Sequence, residues 1–267
     1  MALETKFMKN IYAPLIVALI GWACQSQPGQ EDDPYYNPPA EGFNAAESDP
    51  AAIELADSIM VAVGGRKNWD ATRFISWNFF GARDLVWDKK EGRVRIESNR
   101  DSTIYLLNLT TMEGKVQVKG QELTQADSLA KMLDKAKRIW INDSYWLVMP
   151  FKLRDPGVTL NYLGHDTTQS GEQAEVIQLQ FAGVGVTPDN KYHIWIGHQP
   201  KEVLQWAYYR SSQDTLPGFT LSWTNYQRFD PTGIVLSSGR GEREMGDIRV
   251  YTELPEDVFN SVTATDW

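Results

Sequence analysis

The chain has 267 residues, 42% of them hydrophobic and 23% charged, with a formal net charge of −9 and one cysteine, Cys24. That length and balance suit one large domain or two small ones with a sizeable core. The acidic surface argues against nucleic-acid binding, which needs Lys and Arg to neutralise phosphates, and a lone cysteine excludes an intramolecular disulfide.

In chain order, Lys6 and Lys9 precede an apolar run from Ile11 to Ala23, interrupted by Pro14 and Gly21. Such a run is too short to span a bilayer and has the length of a signal-peptide core. It ends in Leu19-Ile20-Gly21-Trp22-Ala23-Cys24. There it resembles a bacterial lipoprotein signal, although Trp22 stands where a small residue is usual. The resemblance implies cleavage after Ala23, lipidation of Cys24 and attachment to the outer membrane, facing the periplasm or the cell surface. Each buried methylene of such an anchor contributes about 0.8 kcal/mol, so attachment would be lasting. A plain secretory leader with an incidental cysteine is the other reading. Residues 24–47 are rich in Gln, Pro, Asp, Glu, Asn and Ala with no apolar period. They read as a flexible acidic tether, and residues 48–267 as a single domain.

Asp49 suits an N-cap and Pro50 the first helical position. Ile53, Ala56, Met60 and Val63 then recur at helical spacing, and Gly64-Gly65 closes the helix. Alternating runs at 74–80, 85–87, 93–97, 104–109 and 115–119 read as strands. A second helix is expected from about residue 124 to Trp140, with Leu129, Met132, Leu133, Ala136 and Trp140 on one face.

The stretch from Trp140 to Val158, WINDSYWLVMPFKLRDPGV, reads as a connector stiffened by Pro150 and Pro156. Connectors are usually polar. One this aromatic is expected to lie as a strap across the open face of a curved sheet. Strands follow at 158–163, 176–181, 191–196, 203–210, 219–226, 234–238 and 247–252. Phe219, Leu221 and Trp223 alternate with Thr220, Ser222 and Thr224, giving one apolar and one wet face. Aromatics at such alternating strand positions read as core. The expected fold is mainly β (α+β), an antiparallel incomplete β-barrel of about eleven strands with two amphipathic helices.

The order helix, strands, helix, aromatic strap, strands resembles the LolA/LolB-type fold over roughly residues 48 to 262. That resemblance implies an unclosed barrel with an apolar groove for acyl chains. Trp140-Ile141-Asn142-Asp143, Tyr145-Trp146-Leu147, Pro150-Phe151-Lys152-Leu153 and Asp155-Pro156-Gly157-Val158 are also similar to a family of Bacteroidetes-type lipoproteins with no assigned chemistry. So is the Gly64-Gly65 start with Trp69.

Catalytic motifs are missing: there is no G-x-S-x-G, H-E-x-x-H, C-x-x-C or P-loop. His193 and His198 are five apart, so on one strand they face opposite ways and share no metal. No catalytic residue, cofactor or metal is expected. The candidate ligand-binding residues at the groove mouth are Trp146, Met149, Phe151, Lys152 and Arg154. Phe151 is expected nearest the ligand, Lys152 and Arg154 at a head group, and Trp146 to be mainly structural. Asn142 and Asp143 read as a cap on the helix end, and Asp155 as a turn former. The leading expectation is a non-catalytic, lipid-anchored envelope protein that holds an acyl chain, lipid or lipoprotein tail. A second is an assembly module whose groove is filled by its own side chains and whose rim docks an envelope protein. A hydrolase would need two carboxylates facing each other across a wet cleft.

Overall fold

The computed structural model describes residues 33–181, 189–263 and 267. Cys24 and the apolar leader lie outside the described residues. The chain folds as two seven-stranded antiparallel sheets that do not close into a barrel, with few helices.

The first sheet is a meander of β1 (Phe74–Phe79), β2 (Arg83–Asp88), β3 (Arg93–Ser98), β4 (Thr103–Asn108), β5 (Gly114–Val118) and β6 (Gln121–Glu122). The second runs β7 (Val158–Thr167), β8 (Gln173–Phe181), β9 (Lys191–Ile196), β10 (Val203–Tyr209), β11 (Phe219–Phe229), β12 (Ile234–Arg240) and β13 (Arg243–Glu244). The chain then crosses at Met245, and β14 (Gly246–Tyr251) pairs with β1 on the first sheet. Fourteen strands are therefore present among the described residues, against the eleven or so expected; β6 and β13 are two residues long and too short to carry a period.

Period-two alternation builds the concave face. Ile75 and Trp77 on β1, Leu85 and Trp87 on β2, Val94 and Ile96 on β3, and Tyr105 and Leu107 on β4 all enter one core. From the second sheet Leu160, Ile177, Leu179, Ile194, Trp206, Trp223 and Leu236 join it. Helix α1 (Pro50–Ala62) fills part of the hollow through Ala52, Leu55, Ala56, Ile59 and Met60.

Gly64 explains the glycine pair. Its φ of +107° suits the helix end, and a Cβ there would lie 2.6 Å from the carbonyl oxygen of Gly233. The end of α1 is thus pressed onto the β11–β12 turn, where Val235 N–H donates to the Val63 carbonyl at 2.8 Å. Gly65 then caps a short helix not expected from the sequence, α2 (Arg66–Ala71), which buries Trp69.

The largest departure from expectation concerns the strap. Helix α3 (Ala126–Val148) does not stop at Trp140; it continues through Tyr145 and Trp146, and Met149–Lys152 follows as one 3-10 turn. Helical spacing persists to Leu147 and Val148, and the first breaker is Pro150. Asn142 and Asp143 are weak helix formers, yet they cap nothing. Asp143 is fully buried and receives Arg83 of β2 at 2.6 Å, which offsets its poor propensity.

Part of the stretch expected to be a flexible tether packs on the domain. Asn37 donates to Asp57 at 2.8 Å, and the N–H groups of Asn44 and Asp49 donate to the β7 carbonyls of Val158 and Leu160. Residues from Asn37 onward are therefore docked on the domain. At the other end, α4 (Asp257–Asn260) covers Phe74 and Val86 on the convex face, and buried Arg95 donates to the carbonyls of Val258 and Ser261. No described helix is long and apolar enough to cross a membrane.

Candidate ligand cavity

Two parts of the concave face behave differently. Against the first sheet the apolar stripe of α3, including Leu133 and Ala136, is packed into the core, while α1 lies against β7 and the 3-10 turn. Against the second sheet the face opens into a cavity of about 630 Å³ between the C-terminal half of α3 and strands β8 to β11. That volume lies within the range of small-molecule sites, roughly 300–1,000 Å³.

Helix α3 supplies Trp140, Ile141, Tyr145 and Trp146 to one wall. The facing strands supply Phe181, Tyr192, Trp206, Tyr208 and Phe219, each from an inward-pointing strand position. Among the described residues, half of the sixteen that line the cavity are aromatic, and Ile141 and Pro156 are the aliphatic ones. The rings pack on one another. Tyr192 stacks on Trp206 with centroids 5.3 Å apart, and Tyr208 stacks on Phe219 at 5.1 Å. Trp146 meets Trp206 edge-on at 5.1 Å.

The helix wall is held in place by buried polar contacts. Arg240 of β12 is fully buried and donates from Nε to the Trp146 carbonyl at 3.1 Å, with a second contact from Nη2 to the same oxygen. Its guanidinium lies 3.3 Å from the Trp223 ring centroid. Burial lowers its pKa to about 9, so it stays charged at neutral pH, facing the carbonyl end of the helix. Burial pushes the Asp143 carboxyl up, against the opposing pull of Arg83. Both anchors fix the turn of α3 that carries Tyr145 and Trp146.

The polar lining is sparse. Lys152 pairs with Asp155 at the rim, and Arg138, exposed on α3, reaches the same opening. Burial raises the phenol pKa values of Tyr145 and Tyr192, so both stay neutral donors. The Tyr145 hydroxyl and the Trp206 Nε1 are buried without a hydrogen-bond partner. No group of three His, Cys, Asp or Glu side chains suited to a metal occurs among the described residues.

Two of the five expected mouth residues line this cavity: Trp146 and Lys152. Met149 and Phe151 do not; they are 0% and 5% exposed in the core, with Phe151 stacked on Trp69 at 4.3 Å. Trp146, expected to be mainly structural, borders the cavity, because helical phase turns it toward the second sheet, and Phe151, expected nearest the ligand, is packed on Trp69 of α2. Arg154 faces away, bonding the Asp57 carboxylate at 2.7 Å and the Asn37 carbonyl at 2.6 Å. The strand aromatics that line the cavity read as core from the sequence. Their signal is present in outline, since Tyr192, Trp206, Tyr208 and Phe219 are aromatic inward positions on three consecutive strands. Nothing in the sequence says that no side chain fills the space in front of them.

No family model and no curated protein matches this chain. Solved structures do. A DUF1329 family protein from Desulfovibrio piger is similar at 15% identity and TM-score 0.45, covering 80% of this chain and 98% of its own. A putative outer membrane lipoprotein-sorting protein domain from Vibrio parahaemolyticus is similar at 11% identity and TM-score 0.37, covering 79% and 96%. The Mycobacterium tuberculosis lipoprotein LppX is similar at 12% identity and TM-score 0.26, covering 74% and 97%. Likeness at these values carries nothing about ligand or activity.

Proposed function

We propose that the protein binds an apolar ligand, such as an acyl chain, lipid or lipoprotein tail, in the cavity between α3 and the second sheet, and does so without catalysis. From a lipidated Cys24 it would work at the outer membrane. The observation that supports this most is the open, aromatic hollow of about 630 Å³ between α3 and the second sheet. A wall of eight rings left unfilled is costly to keep wet and gains by accepting an apolar guest.

Two features weigh against chemistry there. The described lining holds one carboxylate, Asp155, already paired with Lys152, and no histidine or cysteine. A glycosidase-type pair of carboxylates is therefore not assembled in this cavity. The assembly-module reading draws support from the first-sheet half, where the apolar stripe of α3 is packed into the core. The hollow half favours a small ligand instead.

Native mass spectrometry after gentle detergent extraction tests the proposal. A reproducible lipid-sized mass should travel with the wild-type protein and be lost in Trp146→Ala. Protein that is empty from the membrane and takes up no added lipid overturns it.

A further inference from the structure

Resting on that cavity reading, we infer that the preferred occupant is a planar aromatic molecule with an anionic end, rather than a linear acyl chain.

The lining chemistry carries the first half. Linear chains gain from any apolar surface in proportion to area, whatever its type. Among the described residues, few of the side chains that line this cavity are aliphatic. Its rings are also arranged: Tyr192 and Trp206 lie within 19° of parallel, and Tyr208 and Phe219 within 22°. Rings stacked in this way cover one another's facing π-surfaces. The wall rings offer a guest faces and edges, the negative and positive parts of the quadrupole. An edge is best met by the negative face of another ring, a contact that adds to area burial and that a saturated chain cannot make.

Charge carries the second half. The chain is acidic overall, at −9, yet the cavity lining has two cations, Arg138 and Lys152, against one anion, Asp155. Lys152 and Asp155 satisfy each other. Arg138 has no ion pair or hydrogen bond to another described residue, including Asp134 one turn earlier on α3. A guanidinium with its donors free at the mouth of an aromatic slot suits a carboxylate or phosphate oxygen. The surplus cation disfavours a cationic guest.

Isothermal titration with three probes tests the inference: 1-pyrenebutyrate, its neutral analogue 1-pyrenebutanol, and palmitate. Pyrenebutyrate is expected to bind about tenfold tighter than palmitate. Arg138→Ala, at an exposed helix position that leaves the fold intact, should weaken pyrenebutyrate by about tenfold and leave pyrenebutanol unchanged. Phe219→Leu with Tyr208→Leu, which keeps an apolar wall and removes two rings, should narrow the gap between pyrenebutyrate and palmitate. Palmitate binding as tightly as pyrenebutyrate overturns the ring preference while leaving an apolar-ligand protein. Equal affinity for pyrenebutyrate and pyrenebutanol, or indifference to Arg138→Ala, overturns the anionic end. Failure of all three probes to bind overturns both this inference and the function it rests on.

Discussion

Truncating Phe151 to alanine separates the core of this protein from its cavity. The ring is 5% exposed and stacks on Trp69 at 4.3 Å with a 17° interplanar angle. Trp69 in turn lies 6.2 Å from Trp87, and Trp87 lies 5.3 Å from Trp140, so the ring sits in an aromatic chain linking α2, β2 and α3. A buried Phe→Ala change costs about 3–5 kcal/mol, because the neighbours collapse only partly into the space. In a domain of this size each kcal/mol moves the melting temperature by roughly 2–4 °C, so a fall of roughly 6–20 °C is expected. Phe219→Ala is the matched control. That ring is half-buried and lines the open cavity, where water or ligand takes its place, so its melting temperature should fall by less than half as much. Differential scanning calorimetry of both variants, with probe titration alongside, reads the difference. If Phe151→Ala left the melting temperature unmoved and abolished ligand binding, the ring would be at the cavity mouth after all, and its place in the core would be refuted.

Breaking the buried Arg83–Asp143 pair from one side, as in Asp143→Ala, should cost about 3–5 kcal/mol by urea unfolding, toward the low end because Arg83 is 20% exposed. Replacing both by leucine should recover most of that loss, and a double variant no better than the single would show that the pair is not what holds α3. His193 accepts from the Tyr209 hydroxyl through Nδ1 at 3.2 Å and donates from Nε2 to Gln178 at 3.1 Å, and burial with nearby Lys191 lowers its pKa to about 4. The unfolded chain therefore takes up this proton first as pH falls from about 6.5 toward 4, and stability drops across that window. Urea midpoints of His193→Gln should show a shallower acid loss there than wild type; identical pH profiles would contradict it. Finally, Cys24→Ala should leave the protein without a fatty-acid label and move it to the soluble periplasmic fraction, and an unlabelled variant that stays with the membrane would exclude the anchor.

What the sequence determined by itself follows from periodicity. A period of two on a dozen runs, and a period near 3.6 at Ile53–Val63 and Leu129–Ala136, are local statements about which side of each element is apolar. They suffice for a mainly antiparallel architecture with helices laid into its concave face, and Gly64-Gly65 marks a tight helix end without any tertiary knowledge. The strap departs from expectation where local rules compete. Asn142 and Asp143 are poor helix formers, and it is the Arg83 side chain, sixty positions away, that pairs the buried charge of Asp143 within the helix.

The cavity belongs wholly to the tertiary structure. Trp77 and Trp206 are both buried at inward strand positions, yet Trp206 borders this cavity and Trp77 does not. Whether a ring is packed or left lining a hollow depends on how far α3 lies from each sheet. That distance is set by contacts such as Arg240 on the Trp146 carbonyl, between residues ninety-four positions apart. Alternation along a strand records which face is apolar. It carries no information about what stands opposite, and that is where the ligand site is decided.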